Sequence, residues 1–245
     1  MKPTQFITQS PQVESIVKSL TLTQSLFVSS IIIGEPFTGK KQLVRSLFPK
    51  ALYIDARNIE ELKQVLQTHN EVVIYNFDAV NNLDELNFEN KRIIAIANEV
   101  RYRSAIEKKF AFIYDMPALV QRPEDVKRLI KEFTQIIQND LMLESSKVIN
   151  VEEVDLSENI KSLKASIYRQ LITSTLDSRD IEKILFNYLY DNMEGKNVYR
   201  DFLEIYERPL LQAGLAKFKS QLKLSSVLGL NRNTLRKKIH EHNLD

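Results

Sequence analysis

The stretch Ser30-Ile31-Ile32-Ile33-Gly34-Glu35-Pro36-Phe37-Thr38-Gly39-Lys40-Lys41 decides how the first half of this chain folds. Residues 25–33 are aliphatic and β-branched and end in a glycine, which reads as a buried strand. Gly34 to Lys40 spell G-x-x-x-x-G-K, and residues 42–47 read as helix. Strand, glycine loop and helix in that order form the context that a phosphate-binding loop needs. Backbone N–H groups and the helix start would face an anion, with Lys40 reaching its outer phosphates. The candidate nucleotide-binding residues are Gly34, Glu35, Thr38, Gly39, Lys40 and Lys41. Lys41 stands where Ser or Thr normally holds magnesium, and Phe37 is bulky for such a loop.

Working outward, an amphipathic helix precedes this stretch, with Val13, Ile16, Val17 and Leu20 at helical spacing. After it, residues 51–55, 71–78, 92–98 and 110–114 read as four more strands, with a helix over 60–67. Strands alternating with helices predict a parallel α/β sheet. A P-loop ATPase keeps an acidic pair for Mg²⁺ and water at the end of its third strand. Here Asn76 and Phe77 hold those places and Asp78 is displaced. Neither an amide nor a phenyl ring can act as a general base. Hydrolysis is therefore not expected and no catalytic residue is assigned, although residual ATPase turnover stays open.

Beyond Pro123 the pattern becomes helical. Val126, Leu129, Ile130, Phe133, Ile136 and Ile137 line one helix face, and Ile160, Leu163, Ile167 and Leu171 line another. Two further helices are expected over 180–193 and 198–218, the second containing Pro209, which should kink or interrupt it.

The C-terminal stretch Lys219 to His240 reads as two short helices about Gly229. From Lys219 to Lys238 there are six Lys or Arg and no Asp or Glu. That is the pattern of a helix-turn-helix whose second helix lies in the DNA major groove. Leu235 and Ile239 should pack inward on Val227 and Leu228. Asn231 should cap the second helix. Arg232 and Arg236 then share an exposed stripe and are the candidates for base edges, backed by Asn231 and Asn233. Thr234, Lys237 and Lys238 are assigned to phosphates. Ser220 and Gln221, at the start of the first helix, complete the DNA-binding set.

These segments carry two family resemblances. Residues 180–245 resemble the Fis family of small bacterial DNA-binding proteins, through Glu207-Arg208-Pro209-Leu210-Leu211 and Gly229-Leu230-Asn231-Arg232-Asn233-Thr234-Leu235-Arg236-Lys237-Lys238. Members usually carry Gly-Asn where Lys219-Ser220 stand here. The resemblance implies a dimer of intertwined helices, which would read two half-sites about one helical turn apart.

Residues 1 to about 175 resemble a shortened AAA+ module of bacterial enhancer-binding proteins, the activators of sigma-54 RNA polymerase. The matching stretches are the loop Gly34–Lys41, the sensor strand ending at Asn98, the lid start Gln121-Arg122-Pro123-Glu124-Asp125-Val126, and Asn159-Ile160-Lys161-Ser162-Leu163 with Lys161 where Arg is usual. That family's loop often carries Glu at the place of Lys41. Its Gly-Ala-Phe-Thr-Gly-Ala loop, which contacts the sigma factor, has no counterpart in this sequence.

The expected fold is thus an α/β P-loop (AAA+-like) parallel sheet with a helical lid, followed by an all-α Fis-type helix-turn-helix domain. The expected division is 1–120, 121–175 and 176–245. The expected function is a dimeric, sequence-specific DNA-binding transcription regulator whose degenerate module binds ATP or ADP, if any nucleotide, without a metal site. Double-stranded DNA and a second copy of the chain are the expected partners, with RNA polymerase or a sigma factor as further partners under the second reading. The alternatives are an active ATPase that activates sigma-54 polymerase, or a nucleoid-type architectural protein.

Composition narrows the remaining classes. The 245 residues are 43% hydrophobic and 27% charged, ordinary for a globular protein. With no Cys, disulfide and thiolate chemistry is excluded. The three His, at 69, 240 and 242, are too scattered for a metal site. No stretch approaches the roughly 20 apolar residues of a membrane span, and no apolar signal core follows Met1. The expected location is the cytoplasm.

Overall fold

The computed structural model describes residues 6–100, 103–143 and 149–244. These form two compact units, the first ending at Thr175 and the second beginning at Leu176.

In the first unit, helix α1 (Pro11–Thr23) precedes strand β1 (Ser30–Ile33), helix α2 (Lys40–Leu47), strand β2 (Leu52–Asp55), helix α3 (Ile59–Thr68) and strand β3 (Glu71–Tyr75). Strand β4 (Arg92–Ala97), helix α4 (Arg103–Lys109) and strand β5 (Phe112–Asp115) complete the α/β part. The strands lie in the order β2-β3-β4-β1-β5, all parallel. β1 lies inside the sheet between β4 and β5 and is buried along its whole length, so it tolerates only apolar or small residues. One face of the sheet is filled by Ile31, Ile74, Ile93, Leu62 and Phe77, the other by Ile32, Val73, Ile94, Leu20 and Leu43. Helices on both faces make the doubly covered sheet that parallel strands require.

The strand positions expected from sequence hold, with shorter bounds. The chain leaves β3 at Tyr75, because Asn76 takes a left-handed conformation (φ 54°) and residues 77–79 coil into a short 3₁₀ turn. Residues 25–29 do not join β1. Gln24, Ser25 and Leu26 instead extend the end of α1 with i→i−3 hydrogen bonds. Helix α4 was not foreseen; its seven residues offer one buried apolar anchor, Ile106.

The lid pairs helices α5 (Pro123–Asp140) and α6 (Ile160–Thr173) around Leu129, Ile130, Phe133, Leu163, Ile167 and Leu171. Ile136 departs from the expected face and is exposed, whereas Ile137 is buried. Pro123 opens α5 at a position where its missing N–H costs nothing.

The second unit holds helices α7 (Ser178–Asn192), α8 (Val198–Phe218), α9 (Gln221–Leu228) and α10 (Arg232–Glu241). Pro209 lies inside α8, and the helix runs through it without interruption. The small core is Leu211, Leu224, Leu235 and Ile239, bordered by Leu215, Phe218, Leu228 and Leu230. Here the structure corrects one expectation. Val227 is mostly exposed, and Leu224, one turn earlier, packs on α10 with Leu228 at the margin. Leu224 fits over Gly214, where a Cβ would lie 2.4 Å from its Cδ1. Because this core is so small, Leu224→Ala should destabilise the unit by roughly 2–5 kcal/mol. Amide hydrogen exchange should then show lost protection across α8–α10 and unchanged protection in β1 and β4.

Candidate nucleotide loop and nucleic-acid interface

The loop between β1 and α2 curls around its own lysine. Gly34 is needed at its start, since a Cβ there would lie 2.4 Å from the Met116 carbonyl oxygen. Each loop carbonyl from 34 to 38 finds a donor. Lys40 Nζ donates to the Gly34 and Glu35 oxygens at 2.5 and 2.6 Å. Asn159 Nδ2 donates to the Pro36 oxygen at 3.0 Å, the Ile160 N–H to the Phe37 oxygen at 3.2 Å, and Arg122 Nη2 to the Thr38 oxygen at 2.9 Å. Three of these bonds come from the lid side.

Asn159 is itself buried, with positive φ, and its amide also donates to the Glu35 carboxylate at 2.9 Å while its oxygen accepts the Leu119 N–H at 2.6 Å. Arg122 is buried beside Asp125 at 3.5 Å, and Asp125 also accepts from Thr8 and the Gln9 N–H. Phe37 fits because its ring is half exposed at the rim, with Lys161 Nζ 5.3 Å from its centroid.

Beside the loop lies an open cavity of about 550 Å³. Lys40, Lys41, Arg57, Lys161 and Lys164 line it, facing one carboxylate, Asp78. Thr38 and Gly39 also line it, while Gly34 and Glu35 lie outside the lining. Asp78 was read from sequence as displaced. The 3₁₀ turn after Asn76 instead brings it to the cavity, where Oδ1 accepts the Asn98 N–H at 2.9 Å. Asn98 Oδ1 is 3.4 Å from Lys40 Nζ. Arg57, Tyr75 and Lys164 were not singled out in the sequence. Lys164 had a signal, since it is three residues after Lys161 on the same helix face.

In the second unit α10 presents its charges outward. Asn231 caps it, its side chain accepting the Asn233 N–H at 2.9 Å, and Ser220 caps α9 by accepting the Lys223 N–H at 3.3 Å. Gly229 makes the left-handed turn between them (φ 64°). Lys219 is also left-handed (φ 49°), which is the physical reason glycine suits that place. Gln221, Arg232, Asn233, Thr234, Arg236 and Lys237 are exposed, while Leu235 and Ile239 anchor the opposite side. Among the described residues no carboxylate pairs with Arg232 or Arg236, whereas Lys237 has Glu241 at 3.6 Å. Lys238 does not share the open face. It is half buried and donates to Glu207 of α8 at 2.5 Å, with His242 Nε2 at 3.3 Å from the same carboxylate. Lys238, with His242 adding, holds the Glu207 carboxyl below its usual range.

A P-loop α/β module with a lid, joined in one chain to a capped, basic helix-turn-helix, is the class these two units define. The family model for bacterial regulatory proteins of the Fis family matches residues 202–242. A Fis-like DNA-binding protein of Pseudomonas aeruginosa is 38% identical over 88 residues, spanning 33% of this chain and 84% of that one. A second, from Ralstonia nicotianae, is 41% identical over 59 residues, spanning 22% of this chain and 77% of its own. The chain belongs to the Fis family through this C-terminal segment. Among solved structures, NtrX from Brucella abortus in complex with ATP is similar at a TM-score of 0.53 and 13% identity, over 98% of this chain and 69% of NtrX. Its complex with ADP gives 0.52 and 12%, over 98% and 70%. At that identity the likeness is one of fold. Among the described residues no helix is long and apolar enough to cross a membrane.

Burial dominates the behaviour of Lys40, pulling its pKa from the usual 10.5 to about 8 against the attraction of Asp78 and Glu35. Below about pH 8 both folded and unfolded chains carry the proton, and the buried charge costs stability. Between about pH 8 and 10.5 only the unfolded chain keeps it, so stability should rise with pH across that window. Lys40→Met should flatten that rise, as followed by denaturant titration at successive pH values.

Proposed function

We propose that this chain is a cytoplasmic, sequence-specific DNA-binding transcription regulator that acts as a homodimer. In this reading residues 176–245 dimerise and read DNA, residues 1–120 hold a nucleoside di- or triphosphate, and residues 121–175 form the lid over it. The observation that carries the reading is the exposed Arg232–Arg236 stripe on a capped helix, paired with no carboxylate among the described residues, within the segment that matches the Fis family. Arg232 and Arg236 take base edges, backed by Asn231 and Asn233; Thr234 and Lys237 set the register on phosphates, and Ser220 and Gln221 complete the DNA-binding set. Lys238, already held by Glu207, serves to brace α10 on α8.

The dimer is supported by the faces of α7 and α8. Helix α7 buries no residue within one chain, and Ile181, Phe186, Tyr190 and Tyr199 stay 56%, 63%, 76% and 80% exposed. Between the two helices Ile181, Ile184, Tyr188, Tyr206 and Leu210 line an apolar groove of about 640 Å³. Apolar area of that extent needs a partner.

Arg236→Ala should abolish protection at specific sites in footprinting while sedimentation still finds a dimer. Unchanged footprints would refute the docking of α10. Protection spread evenly along DNA, with a steep salt slope, would favour an architectural role instead.

Nucleotide binding is supported by the cationic lining of the cavity and by the likeness in fold to NtrX, whose solved structures include ATP and ADP complexes. Asn76 and Phe77, in place of an acidic pair, argue for binding without hydrolysis. One observation favours a working ATPase: Asp78 reaches the cavity. The purified protein should show no ATP turnover above that of Lys40→Ala. Turnover lost in that variant would establish the ATPase.

A further inference from the structure

We propose that the phosphate loop takes its nucleotide without a divalent cation, with Lys41 and Arg57 supplying the positive charge that magnesium supplies in other phosphate loops. The inference rests on the nucleotide reading above and specifies the ligand as a metal-free nucleoside di- or triphosphate.

P-loop proteins hold Mg²⁺ between a hydroxyl that follows the loop lysine and a carboxylate at the end of the third strand. The residues of this chain do not fit that ion. Lys41 replaces the hydroxyl and Asn76 replaces the carboxylate. Magnesium is a hard cation that demands oxygen ligands in near-ideal octahedral geometry, and an ammonium group repels it.

The placement of Lys41 adds to this. Its Nζ lies 3.7 Å from the centroid of the Tyr75 ring, so the ammonium sits at the C-terminal end of β3. That is the corner where the metal-binding carboxylate would stand. Arg57 reaches the same corner from the end of β2. Burial chiefly lowers the Lys41 pKa, and the charges of Arg45 and Arg57 lower it further, with Asp55 opposing. A lysine whose charge is disfavoured by burial and by neighbouring guanidinium groups makes a place that an anion stabilises.

Of the nearby carboxylates, Asp55 is committed through both oxygens and Asp78 through one. Both oxygens of Asp55 accept from Arg57, and Oδ1 also accepts from Asn76 Nδ2 at 3.0 Å. These bonds hold Asp55 far below the usual carboxylate range, the Arg57 bond most of all. Asp78 accepts the Asn98 N–H and faces Lys40. Lys161 and Lys164 add positive charge from the lid. Of the five cations on the cavity, Arg57 is paired with Asp55 and Lys161 with Glu158 at 2.9 Å, and the one carboxylate in the lining is Asp78; the surplus positive charge favours the fully charged polyphosphate over its magnesium complex, in which part of that charge is already neutralised.

The test is calorimetric titration of the full chain with ADP and with ATP, once in EDTA and once in excess MgCl₂. Both should bind at least as tightly in EDTA. Lys41 is exposed on α2, so Lys41→Ser keeps the core intact. It should weaken binding in EDTA about tenfold, the loss of one charge-assisted contact. Arg57→Ala, at another exposed position, should do likewise. Binding of the unaltered chain that requires Mg²⁺ would overturn this inference and leave nucleotide binding standing. Metal-independent binding unchanged in both variants would overturn the roles of Lys41 and Arg57. No binding of either nucleotide in either buffer would overturn the nucleotide reading, and this inference with it.

Discussion

Five consecutive carbonyl groups, from Gly34 to Thr38, have to be satisfied at once for the phosphate loop to exist. A buried backbone acceptor without a donor costs about as much as a lost hydrogen bond, and this loop's own side chains reach only two of the five, the Gly34 and Glu35 oxygens. In this chain Lys40 satisfies two of them and Arg122, Asn159 and Ile160 satisfy the rest. With the carbonyls turned this way, the loop N–H groups would be left for the anion of the proposed function. The lid is therefore part of the loop's hydrogen-bond shell, and the burial of Asn159 and Arg122 follows from that duty.

The same bonds connect the charge of Lys40 to its setting. Its ammonium is spent on two carbonyls, within reach of Asn98. Under the proposed nucleotide binding, a phosphate would have to compete for it, and would gain by stabilising a charge that burial disfavours. Lys41, Arg57, Lys161 and Lys164 are not tied to the loop carbonyls and stand around the same cavity.

Much of this was legible in the sequence. Buried parallel strands are near-continuous aliphatic runs, so Ser30–Ile33 and Arg92–Ala97 stood out without any alignment. The helix-turn-helix was legible because Gly229, Asn231, Leu235 and Ile239 each answer a separate physical demand: turn, cap and core. What escaped depended on tertiary placement. Asp78 looked displaced because a linear reading cannot show that Asn76 turns left-handed and folds the next residues back. Arg57 and Lys164 meet only when β2 and the lid are both in place. Lys238 looked like its basic neighbours, and only the fold shows Glu207, 31 residues earlier, beside it. Val227 and Leu224 are one turn apart on a helix too short for its periodicity to choose between them.

The way the loop is satisfied also limits how the chain can be recombined. Residues 34–39, Arg122 and the pair Asn159–Ile160 are separated by more than 80 and then more than 30 positions, yet they share one set of hydrogen bonds. A lid grafted from a relative without an amide at 159 and a guanidinium at 122 would leave the Pro36 and Thr38 carbonyls without these donors. Exchanging any one of these three segments alone would break the set of bonds they share, wherever the crossover points fall.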